Sequence, residues 1–137
     1  MIEEAPYTDV LNIRKEVMYP DKDINYVTLA DDDNGLHLGY YEQGILIGVV
    51  SLFLKEKTLQ FRKLAIKKEH QGKGYGTKII QWILDYANDV KLEKVWCNAR
   101  VEKAYFYEKF GFQNVSETFR KGDYEYIVVE KNISENQ

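Results

Sequence analysis

Gln71-Gly72-Lys73-Gly74-Tyr75-Gly76 lies between an apolar, strand-like run, Leu59 to Ile66, and an amphipathic, helix-like run, Thr77 to Asn88. Three glycines at alternate positions allow φ > 0 and a close approach of backbone to a ligand. A helix that starts straight after them offers amide N–H groups without intrahelical acceptors, at the end where the peptide dipoles leave partial positive charge. Strand, glycine turn and helix N-terminus together suit a phosphate or pyrophosphate. The same residues also serve as a plain left-handed turn between strand and helix, with no ligand.

Spacing separates the phosphate-binding motifs. A P-loop requires two glycines separated by four residues and then Lys and Ser/Thr, whereas Gly76-Thr77-Lys78 has that order wrong. The dinucleotide fingerprint G-x-G-x-x-G does not fit Gly72, Gly74 and Gly76 either. What fits is Q/R-x-x-G-x-G/A, as Gln71-x-x-Gly74-x-Gly76.

With 137 residues, 45% of them apolar and 14% aromatic, the chain is expected to form one domain, 1–137, with a real core. No apolar run reaches the length of a membrane span, and Met1 to Pro6 lacks the basic and apolar regions of a signal peptide. No membrane partner is expected, and the expected compartment is the cytoplasm. A single cysteine, Cys97, excludes an internal disulfide framework and a multi-cysteine zinc site, and His37 and His70 lack ligand partners, so no metal is expected. The net charge of −3 argues against a nucleic-acid partner but not against an anionic cofactor. Lys63, Lys67, Lys68, Lys73 and Lys78, with His70, cluster around the glycine turn, either as a solvated rim or as an anion-attracting field.

The spacing of Val10, Ile13 and Val17 predicts a helix from Asp9 to about Met18, capped by Thr8 and stopped at Pro20. Asp31-Asp32-Asp33-Asn34-Gly35 reads as turn punctuation. Leu36 to Tyr41 alternates like a half-buried strand, and Ile45 to Leu54 reads as a strand covered on both faces. Between Phe61 and Leu64 the apolar parity changes, as a β-bulge would produce, although an unbulged strand with two apolar faces also fits. Ile79, Ile83, Tyr86, Ala87 and Val90, widened by Ile80 and Leu84, trace one helix face. Lys94 to Ala99 reads as a buried strand, Glu102 to Phe110 as a short helix with Gly111 at its C′ position, and Phe112–Phe119 with Tyr124–Glu130 as two terminal antiparallel strands. Residues 1–6 are too few and too polar for a confident strand, and 132–137 are expected to be a frayed tail.

Gln71-x-x-Gly74-x-Gly76 resembles the acetyl-CoA pyrophosphate loop of the GNAT superfamily of N-acetyltransferases. A second signature, Asn98 followed by Ala104-x-Phe106-Tyr107-Glu108-Lys109-x-Gly111-Phe112, resembles the strand-to-helix segment that lines the thioester in that family. The two occur in the family's order, and the likeness extends from about residue 36 to 130. Trp96-Cys97-Asn98-Ala99-Arg100 resembles a branch of small bacterial members whose acceptors are often unassigned. The family's first strand reads as truncated or missing.

The resemblance implies an α/β (α+β) fold, a mixed, mostly antiparallel sheet flanked by helices, with the cofactor where two adjacent parallel strands splay apart. It implies acetyl-CoA as co-substrate, with backbone groups of Leu64, Ala65 and Ile66 on the pantetheine arm and the amides of Gln71, Gly72, Lys73, Gly74, Tyr75, Gly76 and Thr77 on the pyrophosphate. Asn98 would hydrogen-bond the pantetheine, Lys109 would lie near the nucleotide phosphate, and Tyr107 would face the sulfur as the catalytic acid. From the residues alone Tyr107 also reads as packing beside Phe106, Asn98 as a strand-end cap, Cys97 as a buried thiol and Arg100 as either an acceptor-carboxylate ligand or a surface ion-pair partner. The strand Leu59 to Lys63 offers no carboxylate base, which leaves His37, Glu117, Glu125 or a water relay. The expected acceptor is a primary amine on a small molecule or peptide. A non-catalytic acyl-CoA-binding module is the alternative reading. Exposed aromatics such as Tyr124 and Tyr126 fit either a homodimer surface or a covered core.

Overall fold

The structure, a computed structural model, describes residues 1–133. It is a mixed α/β fold with a mostly antiparallel sheet and one parallel pair, and its residues group into two compact units. The first unit holds Met1–Phe53 and Phe61–Trp82, and the second holds Leu54–Gln60 and the chain from Ile83 onward.

In the first unit, strand β1 (Ile2–Glu4) pairs antiparallel with β2 (Leu36–Glu42), which pairs antiparallel with β3 (Ile45–Lys55). The first strand, expected to be truncated or missing, is therefore present but three residues long. Its polar sequence carries no strand signal of its own, and its stability comes from the ladder with Leu38, Gly39 and Tyr40. The β2–β3 hairpin closes on Gln43 and Gly44 with φ of 53° and 81°, the doubly left-handed turn that matches strand twist. Residues 47–53 are buried without a break, so β3 is covered on both faces as its apolar run requires.

Helix α1 spans Tyr7–Met18, two residues earlier than the Asp9 start expected from Thr8 as cap. Pro6 is the N-cap, and its carbonyl accepts the amides of Asp9 and Val10. Val10 and Ile13 from this helix pack with Ala5, Val49 and Ala65 in one cluster, which fixes the helix on its predicted face. Strand β4 (Thr58–Ile66) runs through both units, and within it Lys63 has a φ of 57°. A left-handed residue inside a strand is the local irregularity from which a bulge is built, and Lys63 lies at the change of apolar parity.

Helix α2 spans Tyr75–Asp89, so it begins within the glycine motif rather than after it. Ile79, Ile80, Ile83, Leu84 and Ala87 are buried as the periodicity predicts, but Val90 is 45% exposed. The helix ends before Val90 can join the stripe. Lys91 adopts a φ of 63°, its amide donates to Asn88 O, and the Leu92 amide reaches back to Ala87 O, which is the paired bonding of a Schellman cap. Leu92, just beyond the cap, is buried instead. A left-handed lysine costs about 1 kcal/mol relative to glycine there, so Lys91→Gly should raise the melting midpoint by roughly 3–5 °C in a calorimetric scan.

In the second unit, the first residues of β4 pair in parallel with β5 (Lys94–Arg100), Thr58–Gln60 against Lys94–Trp96. Strand β5 pairs antiparallel with the long β8 (Tyr124–Asn132) along its whole length. The strand expected over 112–119 is broken in two, β6 (Gln113–Asn114) and β7 (Phe119–Lys121), both paired with β8. Ser116 causes the break by placing its hydroxyl where the Val128 amide would otherwise need a strand carbonyl. The short helix α3 covers Ala104–Glu108, preceded by a 3₁₀ turn over Val101–Lys103, where one helix from Glu102 to Phe110 was expected. Gly111 does adopt the left-handed C′ conformation, with a φ of 94°. At the end of the chain, Asn132 pairs with Lys94 and the buried Ile133 donates to Glu93 O, so these two residues are held rather than frayed. The rest of the expected tail, 134–137, lies outside the described residues.

Candidate functional site

The turn between β4 and α2 is built by hydrogen bonds that commit some groups and leave others over. A 3₁₀ turn over Lys68–His70 starts it, and the Gln71 amide donates to Lys68 O. The Gln71 side chain donates to Ile66 O at 2.8 Å. Gln71, expected among the pyrophosphate donors, is thus engaged twice within the chain and braces the turn instead. Gly72 and Gly74 follow with φ of 77° and 90°, and a Cβ at either would meet nothing within 4 Å. They are required for their backbone conformation and stand under open space. Lys78 N donates to Gly74 O, so the amides of Tyr75, Gly76 and Thr77 occupy the first helical turn, where no intrahelical acceptor exists.

Tyr75 anchors this helix end: its ring tilts against Tyr40 at 5.3 Å and meets His70 edge-on at 6.1 Å. Lys78 Nζ lies 5.7 Å from the same ring centroid, and Lys73 is exposed. Upstream, Ala65 is buried while Leu64 and Ile66 are half-buried. Strand β3 comes close here, because a Cβ on Gly48 would lie 2.9 Å from Ala65 O and 2.6 Å from Ile66 Cδ1. Only glycine permits that approach.

A buried polar network, whose members are scattered along the sequence, ties α1 to the 29–32 turn and to β2 and β3. Arg14 is fully buried and donates to both carboxylate oxygens of Asp32, at 2.9 and 3.0 Å, to Ser51 Oγ and to Val27 O. Asp32 also accepts from Tyr7 Oη and from the Leu29 amide. Burial alone would raise the Asp32 pKa, but the Arg14, Tyr7 and Leu29 hydrogen bonds outweigh it and hold the carboxyl at about 2. The Tyr7 hydroxyl is pushed up to about 12 by burial and by the Asp32 carboxylate. His37 joins through Nδ1 to Ser51 Oγ at 2.7 Å and through Nε2 to Asp32 O at 2.9 Å. Both ring nitrogens being engaged, His37 is closed as the general base for which it was a candidate. Two of the three aspartates are likewise paired internally, Asp32 with Arg14 and Asp31 with Arg62 at 3.3 Å.

In the second unit, β5 alternates strictly, with Val95, Cys97 and Ala99 buried and Asn98 half-buried opposite Val128. The Asn98 side-chain amide is not committed to any other described residue. Tyr107 on α3 packs edge-on against Phe106 and Phe112, at 5.1 and 5.9 Å, and hydrogen-bonds the Cys97 thiol. Burial, the Cys97 charge and that hydrogen bond push the Tyr107 pKa well above its ordinary value, so the hydroxyl holds its proton. Burial also pushes the Cys97 thiol up, which leaves it inert as a nucleophile. Lys109, expected near a nucleotide phosphate, has its Nζ 4.9 Å from the Phe106 centroid and 6.0 Å from that of Phe110.

The other acid–base candidates are peripheral. Glu117 is exposed, and Glu125 forms an exposed pair with Arg120 at 3.7 Å. Arg100 stacks over Tyr124 at 3.7 Å, and Tyr126 stacks on Phe119, so these aromatics serve internal contacts. Among the described residues no group of three or more His, Cys, Asp or Glu is placed to hold a metal, and no helix is long and apolar enough to cross a membrane.

A family model described as an acetyltransferase (GNAT) domain matches residues 6–132, a span that runs through both units. The Bacillus subtilis protein described as uncharacterized N-acetyltransferase YitI is 24% identical over 120 residues, covering 81% of this chain and 80% of its own. The ribosomal-protein-S18-alanine N-acetyltransferase of Escherichia coli has the same fold, with a TM-score of 0.81 at 15% identity over 100% of this chain and 97% of its own. An aminoglycoside 6′-N-acetyltransferase, solved with coenzyme A, gives a TM-score of 0.75 at 12% identity over 97% of each chain.

Proposed function

We propose, for a chain that belongs to the acetyltransferase (GNAT) family, that it transfers an acetyl group from acetyl-CoA to a primary amine by direct attack in a ternary complex. The chain is an acyltransferase of the N-acetyltransferase kind. The proposal adds the donor, the acceptor class, a single catalytic domain and the cytoplasm as its place of action. The observation that carries it is the β4–α2 turn, in which left-handed Gly72 and Gly74, with open space where a Cβ would stand, lead into the first-turn amides of Tyr75, Gly76 and Thr77. That arrangement favours a diphosphate by hydrogen bonding and by dipole, and the family's donor carries one. A coenzyme A complex of a fold neighbour supports the same donor.

Roles follow residue by residue. Gly72 to Thr77 hold the pyrophosphate, with Gln71 bracing the turn through Ile66 O. Leu64, Ala65 and Ile66 receive the pantetheine arm along the strand, and Asn98 gives it a side-chain hydrogen bond. Lys109 contributes positive charge toward the nucleotide phosphate. Attack by the neutral amine builds negative charge on the thioester oxygen, which a strand amide near Ile66 stabilises. The tetrahedral intermediate expels the CoA thiolate, and Tyr107 gives that sulfur its proton. With His37 closed and no carboxylate on β4, the amine loses its proton to water.

The test is thiol release. Acetyl-CoA incubated with the protein and a panel of amines is expected to yield free CoA faster with at least one amine than by hydrolysis alone. Release that stays at the hydrolytic rate with every amine would remove the transferase chemistry proposed here.

A further inference from the structure

Lys63 is the charge in the first unit that the reaction above leaves unexplained. It is half-buried and left-handed within β4, and its Nζ donates to Tyr19 Oη at 3.2 Å while lying 4.9 Å from the Tyr19 ring centroid. Tyr19 is itself buried and meets Tyr26 edge-on at 5.1 Å. Among the described residues no carboxylate forms an ion pair with Lys63. The buried network's Asp32 is paired with Arg14, and Asp31 is paired with Arg62. The charged neighbours that act on it, Arg62 and Arg14, are both cations. Burial and those cations push the Lys63 pKa down, and Tyr19 opposes them only in part.

A half-buried ammonium without a counter-ion is costly, and an anion arriving there is repaid by both charge and hydrogen bonding. Lys63 directly precedes Leu64-Ala65-Ile66, the run given above to the pantetheine arm. An anionic group held at Lys63 therefore sits beside the strand along which the thioester lies. One uncompensated cation matches one negative charge. A polyamine, by contrast, would bring further positive charge against Arg62, Lys63 and Lys22, whose Nζ lies over Tyr26.

We propose that Lys63, set against the Tyr19–Tyr26 aromatic pair, binds a carboxylate on the acceptor, so that the substrate is an amine that also carries a carboxyl group, such as an amino acid. This rests on the acetyl-transfer reading. It predicts that the acceptor, not acetyl-CoA, loses affinity when Lys63 is neutralised.

The experiment compares matched amines by thiol release: ornithine with putrescine, lysine with cadaverine, phenylalanine with phenethylamine, and phosphoethanolamine with ethanolamine. In the first three pairs the carboxylated partner is expected to have a kcat/KM at least about tenfold higher in one or more. Lys63→Met should collapse that ratio through KM, Lys63→Arg should keep part of it, and both variants should bind CoA as the native chain does. The inference is overturned if the amines lacking a carboxylate are equally good, if phosphoethanolamine is preferred, or if the ratio survives in Lys63→Met. Should no amine release thiol, the acetyl-transfer reading fails by itself, and a thermal-shift titration decides the Lys63 site. N-acetylphenylalanine should stabilise the native chain but not Lys63→Met, while N-acetylphenethylamine should stabilise neither. The absence of that difference would sink the site as well.

Discussion

Replacing Tyr107 by phenylalanine is expected to lower kcat by roughly 10²- to 10⁴-fold while leaving the affinity for CoA within about twofold. The expectation comes from where the Tyr107 proton is held. Burial and the Cys97 sulfur keep the hydroxyl protonated far above neutral pH, so it is a donor throughout the range in which an amine can attack. Its acceptor in the structure is a sulfur atom, Cys97 Sγ, which shows that the hydroxyl can satisfy a sulfur partner. Protonating the leaving thiolate exchanges one sulfur acceptor for another. The ring contacts with Phe106 and Phe112 survive in phenylalanine, and the lost hydrogen bond costs only about 1 kcal/mol of stability. Steady-state kinetics with calorimetric CoA binding separate the two effects. An unchanged kcat would return Tyr107 to a packing role, and a matching loss of CoA affinity would make it a binding residue.

The second large effect falls on folding. Arg14→Leu is expected to cost about 3–5 kcal/mol, because it leaves the Asp32 carboxylate buried without its cation and strips donors from Ser51 and Val27 O. Urea unfolding should show it as a shift of the midpoint with little change in slope. Removing both charges, as Arg14→Leu with Asp32→Leu, should recover a good part of the loss. Acid provides an independent check. The folded Asp32 carboxyl titrates at about 2, below its ordinary 3.8, so its contribution is complete above about pH 4 and is lost as pH falls toward 2. That amounts to about 2 kcal/mol in the native chain. In Arg14→Leu the carboxyl keeps its Tyr7 and Leu29 donors but loses the cation, so its pKa rises from the native position. The variant's deficit should therefore shrink as pH falls, because acid removes more from the native chain than from the variant.

Local signals carried the elements whose stability is itself local. The α1 and α2 stripes, the apolar run of β3 and the alternation of β5 each state a burial pattern in few residues, and the structure follows them except at Val90, beyond the end of α2. Elements that depend on distant partners were legible only in part. The β1 strand exists because Tyr40, Gly39 and Leu38 offer it a ladder, and the break between β6 and β7 depends on a hydroxyl meeting the Val128 amide. The Lys91 cap was missed because a lysine carries no glycine signal, although its bonding is that of a glycine cap.

At the candidate site, the spacing of Gln71, Gly74 and Gly76 marked the glycine turn that joins β4 to α2, but it could not reveal that Gln71 bonds Ile66 O and its own turn. The buried network left one trace in the sequence. Arg14 falls on the Val10, Ile13, Val17 stripe, and a charge on an apolar stripe calls for a buried counter-charge. Which acid answers it, Asp32 of the turn punctuation, is set by tertiary structure. Lys63 likewise looked like one of five lysines around a glycine turn, and only its pairing with Tyr19 sets it apart.

Whether the Gly72–Thr77 turn binds the diphosphate of coenzyme A is decided by a thermal-shift titration. Acetyl-CoA, CoA, ATP and NAD are each added to the native chain and to Gly74→Val, in which a branched side chain is forced into a φ of 90° and projects into the open space above the turn. At about 100 times Kd a ligand adds roughly 2.7 kcal/mol, enough to raise the midpoint by several degrees. The account predicts that acetyl-CoA and CoA raise the native midpoint, that ATP and NAD do so less, and that folded Gly74→Val loses the response. A native chain indifferent to acetyl-CoA and CoA, or a Gly74→Val variant that responds as the native chain does, would contradict it.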